Sequence, residues 1–293
     1  MTRSMLFLPG NNPNMLINAA CLGADAVIFD LEDAVSPIEK DAARILVRNT
    51  MRYSDLSACQ VIVRINSVDT PYWKPDIDAI LPEGPDLILL PKAAAPEQIK
   101  EVSDYISEVE ARLGLCKGAV GIMPLIETAL GVENAYRIAS SERVRALFLG
   151  GEDLTADLQC KRTKEGREIE YARTRLVVAA RAANIDVYDT PFTDVNDDEG
   201  IVKDAMLAKS LGFTGKASIS PRHVEVINEV FSPTQEEIEY AYEVIAAIRL
   251  AKEQGKGAIS LKGKMIDAPI VARAERTIAM AKALGMDMGG ENE

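Results

Sequence analysis

The residues in this chain best suited to chemistry are acids that follow apolar runs. In AVIFDLEDAV, residues 26–35, an apolar run ends in Asp30, Glu32 and Asp33; MPLIET places Glu127 after a second run, and LGGEDL places Asp153 after a third. Glu127 and Asp153 are separated by about one strand–helix–strand unit, so both are expected to project from adjacent strands toward one opening. Two carboxylates there, with water in the remaining positions, suit Mg2+. Gly150 and Gly151 have no side chain to block close approach. Each acid taken alone could equally cap the helix that follows it. The acids at 30, 32 and 33 either solvate a strand end or line a pocket where negative charge is wanted.

Two cations occupy comparable positions. Arg64 follows an apolar stretch in QVIVR. A guanidinium cannot be neutralised in such a place, so it must meet a carboxylate. It is either locked to Asp30 or Glu32, or preorganised to receive a substrate carboxylate or enolate oxygen. Lys92, after Pro91 at the next strand end, offers Schiff-base chemistry. Among this many carboxylates its pKa should be held up, which disfavours that role. The single histidine, His223, is expected in the first turn of a helix as a solvated or core-edge residue. Its isolation excludes a multi-histidine zinc site, and any Ser-His-Asp triad that omits it.

Composition narrows the partners. The chain has 293 residues, with 33 Lys+Arg against 45 Asp+Glu and a net charge of −12. Such a surface repels phosphate backbones and anionic membranes, so neither nucleic acid nor membrane is expected as a partner. No apolar run is long enough to span a bilayer, and MTRSMLFLPG reads as a first strand rather than a leader. Cys21, Cys59, Cys116 and Cys160 form no C-x-x-C pair and read as reduced, buried thiols, pointing to a cytoplasmic protein.

The elements that must position these groups are strands alternating with helices. Strands are expected at 4–9, 26–30, 61–66, 87–91, 119–126, 146–149, 186–190 and 216–220. They are apolar throughout, as burial on both faces of a parallel sheet requires. Amphipathic stretches at 37–53, 96–113, 168–183 and 199–211 lie between them; the first opens with Ser36 as N-cap, Pro37 at its first position and Glu39 at N3. Eight such units predict an α/β fold, a (β/α)8 TIM barrel over residues 1–231. An open doubly wound sheet is the rival, but no G-x-G-x-x-G follows the first strand. Residues 232–293 form a C-terminal helical extension: a long helix capped by Ser232 or Thr234 and stopped at Gly255, a glycine- and lysine-rich stretch, and a last helix over 269–284. It reads as a lid or a subunit-exchange arm.

On these segments the sequence resembles the citrate lyase β-subunit family, the citryl-CoA lyase-like branch of the HpcH/HpaI aldolase superfamily. The resemblance rests on RSMLFLPGNN, GADAVIFDLEDAVSPIEKDAAR, VRIN, LPK, IETALGV, LGGEDL, GFTGKASISPRHVEVINEVFSPT and SLKGKMIDAPIVARA, in the family's order from about residue 3 to about 280. It implies a barrel with a C-terminal extension, usually a homotrimer, using Mg2+ held by Glu127 and Asp153. Arg64 would bind the substrate carbonyl or carboxylate, with Gly151 and Pro91 also lining the substrate site. Asp30, Glu32 and Asp33 would form an acidic shell orienting metal-bound water and Lys92. Asp267, in the KGKMIDAP turn, would reach a neighbouring subunit's site for acid–base work. One departure stands out: the loop PGNNPNML carries Asn12 and Met15 where positive charge would help hold CoA phosphates. That leaves room for an acyl-carrier-protein thioester as in an assembled citrate lyase complex, with Lys216, Lys262 and Lys264 as further phosphate contacts.

The expected activity is therefore Mg2+-dependent cleavage of a citryl thioester, carried by CoA or acyl carrier protein, to oxaloacetate and acetyl thioester. Citramalyl-CoA lyase, malyl-CoA lyase and a malate-synthase-like condensation share this chemistry. A non-catalytic barrel acting as scaffold in a lyase complex, and a metal-free Schiff-base aldolase on Lys92, are the readings from other classes.

Overall fold

The computed structural model of the chain describes residues 2–253 and 259–286. The chain divides into two compact units, Thr2–Phe231 and a second beginning at Ser232. In the first, β1 (Ser4–Pro9), β2 (Ala26–Asp30), β3 (Gln60–Arg64), β4 (Leu87–Leu90), β5 (Gly121–Ile126), β6 (Ala146–Leu149), β7 (Asp186–Asp189) and β8 (Gly215–Ser218) pair in chain order as a closed parallel barrel. The seam is β8 on β1, with Ser4 opposite Lys216 and Leu6 opposite Ser218. This closure is what separates the fold from the open doubly wound alternative.

Strand alternation decides what reaches the mouth. Met5, Ile62, Met123 and Tyr188 from the odd strands, and Ile28, Leu89, Phe148 and Ala217 from the even ones, fill the barrel interior. Side chains repeat a face every two residues. The next inward positions toward the strands' C-terminal ends are therefore Phe7, Arg64, Leu125 and Thr190 on odd strands and, leaving aside Pro91 after β4, Asp30, Gly150 and Ile219 on even ones. All seven line one cavity. The apolar interior thus hands over to a polar mouth without change of phase.

The opposite parity faces the helices. Val27, Phe29, Val63 and Ile88 join the layer between sheet and helices, where helix Lys40–Tyr53 contributes Ala43 and Val47, and helix Pro96–Leu113 contributes Ile99, Val102 and Ile106. Each such aliphatic side chain contributes about 1.5–3 kcal/mol on burial.

Some local expectations differ. Residues Pro37–Glu39 form a 3-10 turn and the α-helix starts only at Lys40; the Ser36 hydroxyl donates to the Glu39 carboxylate at 3.1 Å and caps nothing. The cysteines are not buried: Cys21, Cys116 and Cys160 are exposed and Cys59 is intermediate, all free thiols. Cys21 ends a short 3-10 turn, and Cys116 and Cys160 lie in loops, where no apolar layer covers them. No helix among the described residues is long and apolar enough to cross a membrane.

The second unit packs helix Gln235–Glu253 against helix Ala268–Ala283 around Ala241, Val244, Ile266 and Ala274. Thr234 starts the first by a capping box: its Oγ1 accepts the Glu237 amide at 3.2 Å, and its own amide donates to Glu237 Oε2 at 2.8 Å. The expected stop at Gly255 lies outside the described residues. The glycine- and lysine-rich stretch forms a two-stranded antiparallel ribbon, Ile259–Leu261 with Lys264–Ile266. Its two-residue turn, Lys262-Gly263, has positive φ at both positions (49° and 78°), the geometry that matches strand twist in tight hairpins.

Candidate active site

A cavity of about 450 Å³ opens at the C-terminal end of the strands. Its apolar wall includes Phe7, Met15, Leu125, Phe148 and Ile219; its polar side presents Asp30, Asp33, Arg64, Glu127, Asp153 and Thr190. Asp30 holds Arg64 in a fork, with Nε to Oδ1 at 2.7 Å and Nη2 to Oδ2 at 2.6 Å. The same carboxylate accepts the amides of Glu32 (2.8 Å) and Ala34 (3.2 Å). With both oxygens engaged, Asp30 orients the guanidinium rather than offering a free base. Arg64 also lies over the Phe7 ring, 5.2 Å from its centroid, and its Nη1 is 3.1 Å from Glu32 Oε2 and 3.6 Å from Asp33. Burial works against its charge, but these carboxylates raise its pKa further above the usual arginine value.

Glu32 is buried and its pKa is raised, by burial first and by Asp33 in addition, against the pull of Arg64 and Lys92. Lys92 Nζ donates to Glu32 Oε1 at 2.9 Å, and that bond chiefly raises the lysine pKa. An ammonium held protonated is no nucleophile, which argues against a Schiff base. Lys92 adopts a left-handed backbone (φ 54°), unusual for a residue with a side chain. That turn ends the alternation of β4 and points the Lys92 amide at Glu127 Oε1, 2.7 Å away.

Glu127 is 4% exposed. Burial, with the charges of Asp153 and Glu32 adding to it, pushes its pKa up to about 8, against the Lys92 amide and Arg64. Its other oxygen sits against Gly150, where a Cβ would fall 2.7 Å from both Glu127 Cβ and Oε2. Asp153 is partly exposed in the first turn of helix Gly151–Asp157. The far end of that helix is tied to the segment after Glu127, because Asp157 Oδ2 accepts the Ala129 amide at 2.7 Å. Gly150→Ala is accordingly expected to displace the whole Glu127 side chain, lowering the melting temperature and weakening any Mg2+ binding at this site at least tenfold. Titration calorimetry with Mg2+, beside a thermal melt, checks this.

The charge balance explains the acidic motif. Asp30, Glu32 and Asp33 face three cations: Arg64, Lys92 and a residue the sequence reading missed, Lys40. Lys40 is buried, and its Nζ donates to the Leu31 carbonyl (2.8 Å) and the Glu32 carbonyl (2.6 Å); burial lowers its pKa. Asn66 donates to the same Leu31 carbonyl at 3.0 Å and is itself held by Asp76. Glu127 and Asp153 are left without an ion-pair partner among the described residues. Two uncompensated carboxylates, one of them desolvated, fit a divalent cation. No group of three or more His, Cys, Asp or Glu converges as a metal cage among the described residues. A hard cation that keeps several waters, as Mg2+ does, needs no such cage.

The remaining expected contributors fall in several places. Gly151 lines the cavity, whereas Pro91 is buried and is not among the lining residues, since the strand turns at Lys92 beyond it. Asp267 belongs to the second unit and caps helix Ala268–Ala283, its carboxylate accepting the Ile270 amide at 3.4 Å. Asn12 caps the short helix Pro13–Ile17 through Met15, and Met15 lines the cavity. Lys216 is not a phosphate contact: it is fully buried and donates to Asp189 and the Thr190 carbonyl, because its parity in β8 turns it toward the helices. Lys262 pairs with Glu243 at 2.6 Å, and the Lys264 side chain lies outside what is described. His223 is a core residue, 1% exposed beside Phe192, not solvated; burial lowers its pKa.

The citrate lyase subunit beta of Leuconostoc mesenteroides subsp. cremoris is 45% identical over 97% of this chain and 94% of its own length. The mitochondrial citramalyl-CoA lyase of Mus musculus is 31% identical over 96% of this chain and 86% of its own. The crystal structure of protein CitE from Mycobacterium tuberculosis, in complex with magnesium, acetoacetate and coenzyme A, is 30% identical, covering 96% of this chain and 98% of that one with a TM-score of 0.78. The pattern of the HpcH/HpaI aldolase/citrate lyase family matches residues 3–221, and with these full-length relatives it establishes that the chain belongs to that family.

Proposed function

We propose that the protein is a carbon–carbon lyase that cleaves a citryl thioester to oxaloacetate and an acetyl thioester, with Mg2+ held by Glu127 and Asp153. The observation that carries this reading is the pair of carboxylates that have no ion-pair partner among the described residues, on the wall of a cavity whose other acids, Asp30, Asp33 and Glu152, are each paired. When bound, Mg2+ supplies Lewis-acid polarisation of substrate oxygens. Arg64, held by Asp30 and lying over Phe7, offers its guanidinium on the cavity wall to a substrate carboxylate or to the charge that develops as the bond breaks. Its geometry is set before substrate arrives, so little reorganisation opposes the reaction. The apolar wall of Phe7, Leu125 and Phe148 excludes water from the thioester end. In the cleavage the tertiary hydroxyl loses its proton, its oxygen becomes the ketone of oxaloacetate, and the departing carbon takes a proton to complete the acetyl group. We assign that second proton transfer to Asp267, supplied by a neighbouring copy in a homo-oligomer. Glu32 and Lys92, joined at 2.9 Å, hold the Glu127 turn and the acidic loop together.

A second reading, cleavage of a citramalyl thioester, is favoured by the other apolar side chains of the cavity, Met15 and Ile219, which would receive a methyl group where the citryl substrate carries a carboxymethyl group. Coupled assays with citryl-CoA, citramalyl-CoA and malyl-CoA, with and without Mg2+, separate the readings. Oxaloacetate release from citryl-CoA that vanishes on chelation is expected. Pyruvate release from citramalyl-CoA alone would favour the second reading, and cleavage of none would return the scaffold alternative.

A further inference from the structure

Behind β7 and β8 lies a cluster of four charges that the proposed chemistry does not use. Arg173, Asp189, Asp204 and Lys216 are each at most 4% exposed. Arg173 donates to Asp189 (3.0 and 2.8 Å) and to Asp204 (2.7 Å); Lys216 Nζ lies 2.7 Å from Asp189 and 2.6 Å from Asp204. Its charges cancel, but desolvating four ions makes such a cluster a poor source of stability compared with apolar packing. A further hydrogen bond of the cluster is informative: Lys216 Nζ donates to the Thr190 carbonyl at 2.5 Å. Thr190 is thereby gripped from the helix side while its side chain faces the cavity.

The Thr190 hydroxyl accepts the Gly151 amide at 2.9 Å. Gly151 opens the helix that carries Asp153, and its amide is one of the donors a helix start leaves unsatisfied. Gly150 at the N-cap carries no side chain and cannot gain one without striking Glu127, and an N-cap side chain would in any case serve the amides at the second and third helical positions rather than that of Gly151. The cap therefore comes from the neighbouring strand. The fit is mutual, since a Cβ on Gly151 would lie 2.9 Å from Thr190 Oγ1.

We infer that Thr190 is a positioning residue for the metal site, anchored by the buried Arg173–Asp189–Asp204–Lys216 cluster and setting the turn that aims Asp153. The inference rests on the reading that Glu127 and Asp153 bind Mg2+, and the experiment separates the two. Mg2+ alone is titrated by calorimetry into the full chain and into Thr190→Val, Thr190→Ser and Asp153→Ala, with thermal melts beside each. Thr190→Val is expected to weaken Mg2+ at least tenfold, whereas Thr190→Ser, which keeps the acceptor, stays within about twofold of the parent. Turnover of Thr190→Val should recover toward the parent rate as Mg2+ is raised, a change in metal dependence rather than in kcat. Thr190→Ala removes the same acceptor with less steric demand and serves if the valine variant does not fold. Parent-like Mg2+ affinity in both variants lacking the hydroxyl would overturn the inference, including the case where only the KM for thioester rises and Thr190 proves a substrate donor. Parent-like affinity in Asp153→Ala would instead overturn the metal reading itself.

Discussion

Glu127→Gln is expected to lower turnover by about a thousandfold or more while leaving the protein as stable as the parent at pH 8, or more stable. The first half follows from losing one of the two carboxylates proposed to hold the cation, because Lewis-acid stabilisation is worth several kcal/mol and about 4 kcal/mol corresponds to a thousandfold in rate. The second half follows from burial, which pushes the Glu127 pKa up to about 8. Between about 4.5 and 8 the native metal-free chain holds a proton here that the unfolded chain has lost. Its stability therefore falls as pH rises through that window. Glutamine keeps an acceptor for the Lys92 amide and removes the charge that burial disfavours. The same titration makes Mg2+ and a proton compete for one oxygen pair. Apparent Mg2+ affinity should then fall about tenfold for each pH unit below about 8, and the stabilisation Mg2+ confers should grow with pH. Melting curves with and without Mg2+ from pH 6 to 9 read both effects. A flat Mg2+ affinity across that range, or a Glu127→Gln enzyme with parental turnover, would remove Glu127 from the metal site.

How much of this was legible in the sequence depends on how far each contact reaches. The barrel was legible because eight apolar runs alternating with helices have few ways to bury both faces, and period two then carries Arg64, Asp30 and Gly150 to the same mouth. Arg64 meeting Asp30 was legible for a similar reason, as a strand-borne guanidinium needs a carboxylate and β2 pairs with β3 at those two residues. Lys40 was not: it reads as an ordinary helix-surface lysine, and only the fold bends the chain so that its ammonium meets carbonyls eight and nine residues back. Thr190 carried an inward parity that could have flagged it, but its partner amide lies 39 residues away in another turn. Lys216 was misjudged because a lysine in a strand reads as solvent-seeking, whereas its parity points it into the layer where Asp189 and Asp204 wait. The thiols failed for the reverse reason: composition says cysteines are usually buried, and surface loops follow no composition rule.

Arg64→Met should be the most destabilising single change at the mouth, by about 3–5 kcal/mol, because it strands Asp30 as an unpaired charge that is 2% exposed. At roughly 2–4 °C per kcal/mol for a domain of this size, the melting temperature should drop by roughly 10 °C. Activity should be lost as well, since Arg64 is the cation on the cavity wall and methionine offers nothing to a substrate carboxylate. Stability and activity can be pulled apart by adding Asp30→Asn to Arg64→Met. The amide still accepts from Glu32 or Ala34, but no lone charge remains, so most of the lost stability should return while turnover does not. Arg64→Lys gives the complementary result. A lysine keeps the charge near Asp30 but cannot make the two-pronged contact, so the fold should survive with turnover reduced about a hundredfold or more. If Arg64→Lys instead worked at the parental rate, charge alone would suffice at this position, and the fixed fork between Asp30 and Arg64 would have no part in stabilising the breaking bond.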